Sequence, residues 1–170
     1  MYETSDGGKT WRKLHGEAPF GEIQCLACDR HRPGVFYLGA REHYDSATRR
    51  LYAGGLFKST DGGRTWRCIL EDRFVSSVAV NPADPQVVYA GTNDHPYHDD
   101  SPAAGLLKSS DGGVTWRREN RGLSLRNILS ITIDPGDPTQ IYVGTAGNSA
   151  QIGKDSAIRK PAPGGENRRQ

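Results

Sequence analysis

Short runs of apolar and β-branched residues, separated by polar, glycine-rich or proline-rich turns, recur along the chain as far as residue 145. Three of these runs align without gaps: IQCLACD (23–29), VSSVAVN (75–81) and ILSITID (128–134). A second run follows each of them, and a third run, GLFKS or GLLKS, follows two of the second runs. The pattern predicts units of four short antiparallel strands that recur about every 50 to 55 residues, and no segment has the period of a helix.

A nine-residue stretch stands between the third and fourth predicted strands of each unit. Its copies are box 1, ETSDGGKTW at Glu3–Trp11, box 2, KSTDGGRTW at Lys58–Trp66, and box 3, KSSDGGVTW at Lys108–Trp116. In box 2, Asp61 is expected to accept hydrogen bonds from backbone amides as in an Asx-turn, and the two glycines after it supply positive φ angles. Thr65 and Trp66 then open the outgoing strand, and the indole covers the hairpin. These properties predict a structural hairpin, repeated because every sheet needs the same corner.

Two functional interpretations of the boxes fit poorly. Gly8-Lys9-Thr10 is similar to the end of a phosphate-binding loop, but Glu3 stands where the first glycine belongs, and Arg64 and Val114 replace the lysine in the other boxes. A calcium loop needs several carboxylates at alternating positions, whereas each box offers a single aspartate.

The boxes resemble the Asp-box, or BNR, repeat family. The residues that carry this resemblance are Asp6, Gly8, Thr10 and Trp11; Asp61, Gly63, Thr65 and Trp66; and Asp111, Gly113, Thr115 and Trp116. The resemblance covers residues 1–145 and implies an all-β fold, a partial β-propeller of four-stranded antiparallel blades with Asp-box hairpins. The implied units are a half blade at 1–14, blades at 23–70 and 75–119, a half blade at 128–145, and a disordered tail at 146–170.

Proteins with such repeats include sialidases, xyloglucan-cleaving glycosidases and sortilin-like receptors, so the resemblance does not determine function. It implies that ligands meet the face opposite the boxes, here called the loop face, which is formed by residues 41–54, 71–73, 93–104 and 120–127. The candidate binding residues in its two long loops are His43, Tyr44, Asp45, Asp94, His95, Tyr97, His98 and Asp99. Sugar binding and protein binding both suit such a surface.

Glycosidase chemistry requires two placed carboxylates, or the tyrosine nucleophile of sialidases. Asp45, Asp94 and Asp99 are candidates, but nothing in the sequence pairs them, so the catalytic residues stay unassigned. The Phe/Tyr-Arg-Ile-Pro signature of sialidases is absent. The first hypothesis is therefore a non-catalytic module that binds a protein or a glycan, and the alternative is a fragment of a xyloglucanase-like or sialidase-like propeller hydrolase.

No metal site or cofactor is expected. His95 and His98 with their flanking aspartates have ligand chemistry, but Pro96 and the loop setting give them no fixed face, which favours a solvated loop. Cys25, Cys28 and Cys68 are an odd number of cysteines, and the repeat places Cys25 and Cys28 where other units have strand residues, so buried thiols in a strand are expected.

Composition limits the partners further. Lys and Arg number 22 against 20 Asp and Glu, but the segment after Thr145 holds five of the basic and two of the acidic residues, so residues 1–145 carry a net charge of −1. This balance argues against a nucleic-acid face. The sequence contains neither an apolar run of transmembrane length nor a signal peptide, and the compartment stays unassigned; an extracellular or periplasmic parent protein would suit the resemblance.

The two predicted half blades are complementary, because residues 1–14 match the outer strands of a blade and 128–145 match the inner strands. A head-to-tail homodimer, or the remaining blades of a larger protein, would complete them.

Overall fold

The computed structural model describes residues 1–14, 19–72, 74–94 and 102–155. These residues form fifteen β-strands. The strands of the first half are β1 (Tyr2–Glu3), β2 (Arg12–Lys13), β3 (Glu22–Cys28), β4 (Phe36–Arg41), β5 (His43–Asp45), β6 (Arg50–Tyr52), β7 (Gly55–Ser59) and β8 (Arg67–Leu70). Those of the second half are β9 (Val75–Val80), β10 (Val88–Thr92), β11 (Leu106–Ser109), β12 (Arg117–Arg118), β13 (Ile128–Ile133), β14 (Gln140–Thr145) and β15 (Asn148–Lys154).

Every strand pair within a sheet is antiparallel, and the sheets follow one another along the chain. The first blade has the strand order β3-β4-β7-β8, the second blade β9-β10-β11-β12, and the third blade β13-β14-β15. Strands β1 and β2 form a two-stranded N-terminal sheet, and β5 and β6 form a separate hairpin between the second and third strands of the first blade. The predicted all-β fold with four-stranded blades is thereby confirmed. No helix in the described residues is long and apolar enough to cross a membrane.

The hydrophobic core lies between neighbouring sheets. One cluster joins the first and second blades around Tyr37 and Val88, and a second joins the second and third blades around Tyr89 and Ile128. A smaller cluster around Phe20 packs Met1 of the N-terminal sheet against the first blade. Burial of these faces holds successive sheets together, since in the part of the chain that the structure describes no strand of one blade belongs to the sheet of another.

Glycines in the second strand of each complete blade permit this close packing. A Cβ atom at Gly91 would lie 2.4 Å from Cγ2 of Ile128 in the third blade. At Gly39 it would lie 2.8 Å from the carbonyl oxygen of Val75 in the second blade, and closer still to Sγ of Cys25. The innermost strand of the next blade therefore approaches to a distance that no larger residue allows.

Each box forms its turn through one aspartate. In box 2, Oδ1 of Asp61 accepts the backbone amides of Arg64 and Thr65 at 3.0 and 2.9 Å, and Oδ2 accepts the Thr65 hydroxyl at 2.6 Å. The Ser59 hydroxyl donates to Asp61 and accepts the amide of Gly63, whose φ is 83°. These side chains therefore form hydrogen bonds with the backbone amides of the turn, which have no neighbouring strand to pair with.

Boxes 1 and 3 repeat these hydrogen bonds around Asp6 and Asp111. The hydroxyl of Thr10 is the largest influence that lowers the pKa of Asp6 to about 2, and the backbone amides add to it. Thr115 lowers the pKa of Asp111 in the same way. The boxes therefore depend on ionised aspartates, a structural use of the carboxylate.

The turns between the first and second strands of the blades lie beside the boxes and connect neighbouring blades. Asn81 is fully buried, accepts the amides of its own turn, and donates from Nδ2 to the carbonyl of Pro138 in the third blade at 2.8 Å. Nε2 of His31 in the first blade lies 2.8 Å from the carbonyl of Pro82 in the second. These contacts fix the box side of the molecule.

Two expectations from the sequence are wrong. Residues 148–154 of the predicted tail form β15, because Ala146 and Gly147 (φ 86°) turn the chain back so that β15 pairs with the edge of β14. Residues 156–170 lie outside the described residues. Cys28 is exposed rather than buried, since alternation along β3 points only Cys25 and Ala27 at the core.

Candidate ligand-binding face

The first long loop of the loop face contains the extra hairpin of β5 and β6. Asp45 shapes its turn: Oδ1 accepts the amide of Ala47 at 2.9 Å, and Oδ2 accepts the hydroxyl of Thr48 at 2.7 Å. The Thr48 hydroxyl is the main cause of the lowered pKa of Asp45. Both carboxylate oxygens are thus used to build the loop.

This hairpin presents an apolar pair to solvent. Tyr44 and Leu51 are direct cross-strand partners, and they are 57% and 59% exposed. On its other side, the guanidinium of Arg50 lies 4.8 Å from the centre of the Tyr52 ring. Because side chains alternate between the two faces of a hairpin, Tyr44 and Leu51 form one exposed surface, separate from the polar partners.

A polar cluster stands at the base of the hairpin, where the first and second blades meet. Glu22 is the ladder partner of Arg41 and forms an ion pair with it, and its other oxygen lies 3.3 Å from Nδ1 of His43. The Arg41 guanidinium lies 5.6 Å from the centre of the Phe74 ring, and a backbone bridge joins these two residues. This cluster of Glu22, Arg41, His43 and Phe74 is called the mouth cluster below.

Of the mouth cluster, sequence reasoning had singled out only His43 as a binding candidate. Glu22 begins the innermost strand of the first blade, outside the two long loops of the loop face. The signal that could have identified it is the alignment of Glu22 with Phe74, since each precedes its blade's aligned inner strand run. Register then brings Glu22 opposite Arg41 across the ladder.

Asp94 connects two loops of the loop face. Its Oδ1 accepts the amide of Ala103 at 2.5 Å, which closes the base of the second long loop, and its Oδ2 accepts Nδ2 of Asn127 at 2.7 Å. Asn127 belongs to the connection between the second and third blades. Like Asp45, Asp94 uses both carboxylate oxygens in hydrogen bonds that shape its loops.

The other candidates of the second long loop, His95, Tyr97, His98 and Asp99, lie outside the described residues. Among the residues that the structure describes, no three His, Cys, Asp or Glu side chains are placed to hold a metal ion. The three cysteines, all described, are free thiols. Burial raises the pKa of the Cys25 thiol to about 11, so this residue remains a neutral strand residue at neutral pH.

The described face therefore offers an exposed aromatic and aliphatic surface beside a polar cluster. It places His43 against Glu22, which pairs with Arg41, and it places Tyr44 on the opposite face of the same hairpin strand; Asp45 and Asp94 each shape their own loops. Such a combination can position a ligand that has both apolar and hydroxyl-bearing surfaces.

Comparison with known proteins supports the fold. The sequence matches no family model and no curated protein. Its structure is similar to an ancestral GH74 enzyme, at 17% identity and a TM-score of 0.68 over 89% of this chain and 19% of the enzyme. It is also similar to the GH74 xyloglucanase from Xanthomonas campestris, at 19% identity and a TM-score of 0.63 over 91% of this chain and 26% of the enzyme.

GH74 enzymes are β-propeller glycoside hydrolases, so these similarities identify the fold of the chain as part of a β-propeller. The chain spans about a fifth to a quarter of the length of the two enzymes. At these identities the likeness extends to the fold and leaves activity to be argued from the site.

Proposed function

We propose that this chain is an Asp-box β-propeller module of the glycoside-hydrolase kind that binds a xyloglucan-type polysaccharide through its loop face and does not itself hydrolyse it. The observation that carries the proposal is the exposed Tyr44–Leu51 pair on the hairpin whose first strand also places His43 against Glu22 of the mouth cluster. The boxes belong to the structural side of the molecule, and their hydrogen bonds around Asp6, Asp61 and Asp111 suit the Asp-box repeat.

The chemistry of the surface fits a sugar chain. A pyranose ring has an apolar C–H face and a rim of hydroxyl groups. A tyrosine ring presents a flat apolar area at a low cost in conformational entropy, and its hydroxyl stays in water. The Glu22 carboxylate and the Arg41 guanidinium, which are partly exposed, provide acceptors and donors for the hydroxyl rim.

The use of the carboxylates in the described loops supports the non-catalytic part of the proposal. A glycosidase needs one carboxyl group that gives a proton to the leaving oxygen and a second that attacks the sugar or activates water. Both oxygens of Asp45 accept hydrogen bonds from its own turn, one from an amide and one from the Thr48 hydroxyl, and both oxygens of Asp94 accept amide N–H groups of neighbouring loops. The comparison with the xyloglucanase from Xanthomonas campestris supports xyloglucan as the first polysaccharide to test.

Calorimetric titration with a soluble xyloglucan oligosaccharide tests this proposal. Tyr44→Ala is expected to raise the Kd at least tenfold, about 1.4 kcal/mol, whereas Tyr44→Phe retains the stacking area and is expected to bind as the parent does. Val114→Ala, which alters a 71% exposed side chain in box 3 on the opposite face, is the control.

Two results would contradict the proposal. Parent protein that does not bind xyloglucan, or that binds equally well with Tyr44→Ala, would remove the loop face from consideration. Release of reducing ends from the polysaccharide by the purified parent protein would show that the chain is catalytic.

A further inference from the structure

A cavity of about 470 Å³ lies between the second and third blades. The corresponding space between the first and second blades is filled by box 3. Comparison of the two interfaces, residue by residue, indicates what the cavity is built to receive.

In the filled interface, box 3 is held by the first blade. The indole Nε1 of Trp116 donates to the carbonyl of Ile69 at 2.9 Å. The Lys58 ammonium and the Tyr37 hydroxyl both donate to the carbonyl of Gly112 in the box, at 2.7 and 3.3 Å. Box 2 uses the same position in the N-terminal sheet: a Cβ atom at Gly63 would lie 3.5 Å from Leu14, which follows box 1 as Ile69 follows box 2.

The cavity is lined by the counterparts of these residues. Tyr37 and Lys58 are ladder partners in the first blade, as Tyr89 and Lys108 are in the second. Glu119 follows box 3 at the position that Ile69 has after box 2. The cavity residues that match the filled interface are Tyr89, Leu106, Lys108, Glu119, Ile141 and Val143, in the places of Tyr37, Leu56, Lys58, Ile69, Val88 and Ala90.

The side chain of Asp155, the residue directly after β15, lies at the polar end of the cavity. The Tyr89 hydroxyl and the Lys108 ammonium both contact Oδ2 of Asp155, in place of the box carbonyl that their counterparts bind. Lys108 is almost fully buried, so it needs such a partner. None of the described residues that line the cavity is a tryptophan, so its apolar part lacks the indole that fills the corresponding interface.

Box 1, conversely, has an indole that is largely exposed to solvent. Trp11 is 62% exposed, whereas Trp66 and Trp116 pack against a preceding sheet. Tyr2 is also 62% exposed, although it occupies the position of Phe57, which is 3% exposed. A two-stranded sheet is marginally stable by itself, and exposed aromatic side chains of this size invite association.

We propose that box 1 of one copy of this chain docks into the cavity of a second copy, with Trp11 between the second and third blades. In this arrangement β1 pairs with β14 in place of β15, and Tyr89 and Lys108 exchange Asp155 for the carbonyl of Gly7, the counterpart of Gly112. Box 1 and the cavity are different parts of the chain, so the contact between the two copies is heterologous. When box 1 of each copy docks into the cavity of the other, the two contacts close a ring. The interface repeats one that the chain already forms internally.

Light scattering coupled to size-exclusion chromatography tests this proposal on the full chain. The parent is expected to have twice the chain mass of 18.6 kDa. Trp11→Ala is expected to raise the Kd of the dimer at least about 30-fold, as for removal of a tryptophan hot spot. Lys9→Ala, in the same box but with an exposed side chain, is the control and is expected to remain dimeric.

A mixing experiment guards against a variant that loses the dimer through misfolding. Glu119→Trp places an indole at the rim of the cavity and leaves box 1 intact, so it is also expected to be monomeric. When the two variants are mixed, box 1 of Glu119→Trp can dock into the open cavity of Trp11→Ala. This forms one interface, and a species of dimer mass is expected. A monomeric parent at all concentrations, a dimer that survives Trp11→Ala, or a mixture that stays monomeric would overturn the proposal.

Discussion

Removal of the Trp116 indole tests the packing of box 3 against the first blade. Trp116 is half-buried, packs beside Ile69 and Gly113, and donates its indole N–H to the Ile69 carbonyl at 2.9 Å. Emptying a fully buried aromatic site costs about 3–5 kcal/mol. Since part of this ring is already in water, Trp116→Ala is expected to lower the free energy of unfolding by about 2–4 kcal/mol.

A second substitution separates the hydrogen bond from the packing. Trp116→Phe retains most of the apolar contact and loses the N–H donor, so it is expected to cost about 1–2 kcal/mol, most of it from the unpaired Ile69 carbonyl and the smaller ring. Val114→Ala in the same hairpin is the control, and its effect is expected to stay within about 0.5 kcal/mol.

Urea denaturation followed by far-ultraviolet circular dichroism measures these differences without relying on the fluorescence of the residue that is removed. If Trp116→Ala unfolded at the same urea concentration as Val114→Ala, the indole would be a surface group and the packing between the blades would rest on other contacts. An equal loss in the Phe and Ala variants would assign the whole effect to the hydrogen bond.

Three further predictions concern acid stability, blade packing and thiol reactivity. Hydrogen bonds, first from the threonine hydroxyls, hold the pKa of Asp61 and Asp111 below its usual range. The ionised carboxylates therefore stabilise the fold fully above about pH 4, and this stabilisation is lost as the pH falls through the folded-state pKa. The melting temperature is expected to fall from pH 5 to pH 2, and to fall less in Asp61→Asn. Gly91→Ala is expected to destabilise by about 1–3 kcal/mol in urea denaturation, because the new Cβ would meet Ile128 at 2.4 Å. Cys25, whose pKa burial raises to about 11, is expected to react with Ellman's reagent at pH 7.5 more slowly than the two exposed thiols, and equal rates for all three would contradict its packing in the core.

The repeated parts of the fold could be predicted because local chemistry specifies them. An aspartate that accepts the amides three and four residues ahead, followed by glycines with positive φ, forms the same turn wherever it occurs. Apolar runs with period two on either side of that turn then give the strands. Neither feature depends on distant parts of the chain.

The features that sequence reasoning missed depend on pairing between segments. Strand β15 contains few strong strand formers, and the ladder with β14 and the turn at Gly147 hold it in place. The mouth cluster needs the register that puts Glu22 opposite Arg41, with a bulge between Ile23 and Cys25. The hairpin at 43–52 has a local signal in Asp45 and Thr48, but its two short strands are held by pairing with each other.

The candidate binding residues of the loop face stay a prediction. The long loop at 41–54 does carry exposed aromatic and charged side chains, and Tyr44 and His43 lie where a ligand could reach them. The roles of Asp45 and Asp94 could not be read from their position, because whether a carboxylate faces a ligand or its own loop depends on which amides it meets after folding.

Hydrogen–deuterium exchange of the protein with and without a xyloglucan oligosaccharide locates the binding face. Ligand at saturating concentration is expected to slow exchange in residues 41–54, which hold the Tyr44 hairpin, and at the mouth cluster around residues 20–24 and 74–76. Exchange in boxes 2 and 3 is expected to stay unchanged. Slowed exchange confined to the boxes, or no change anywhere at a concentration that saturates binding, would contradict the assignment of the loop face as the polysaccharide-binding surface.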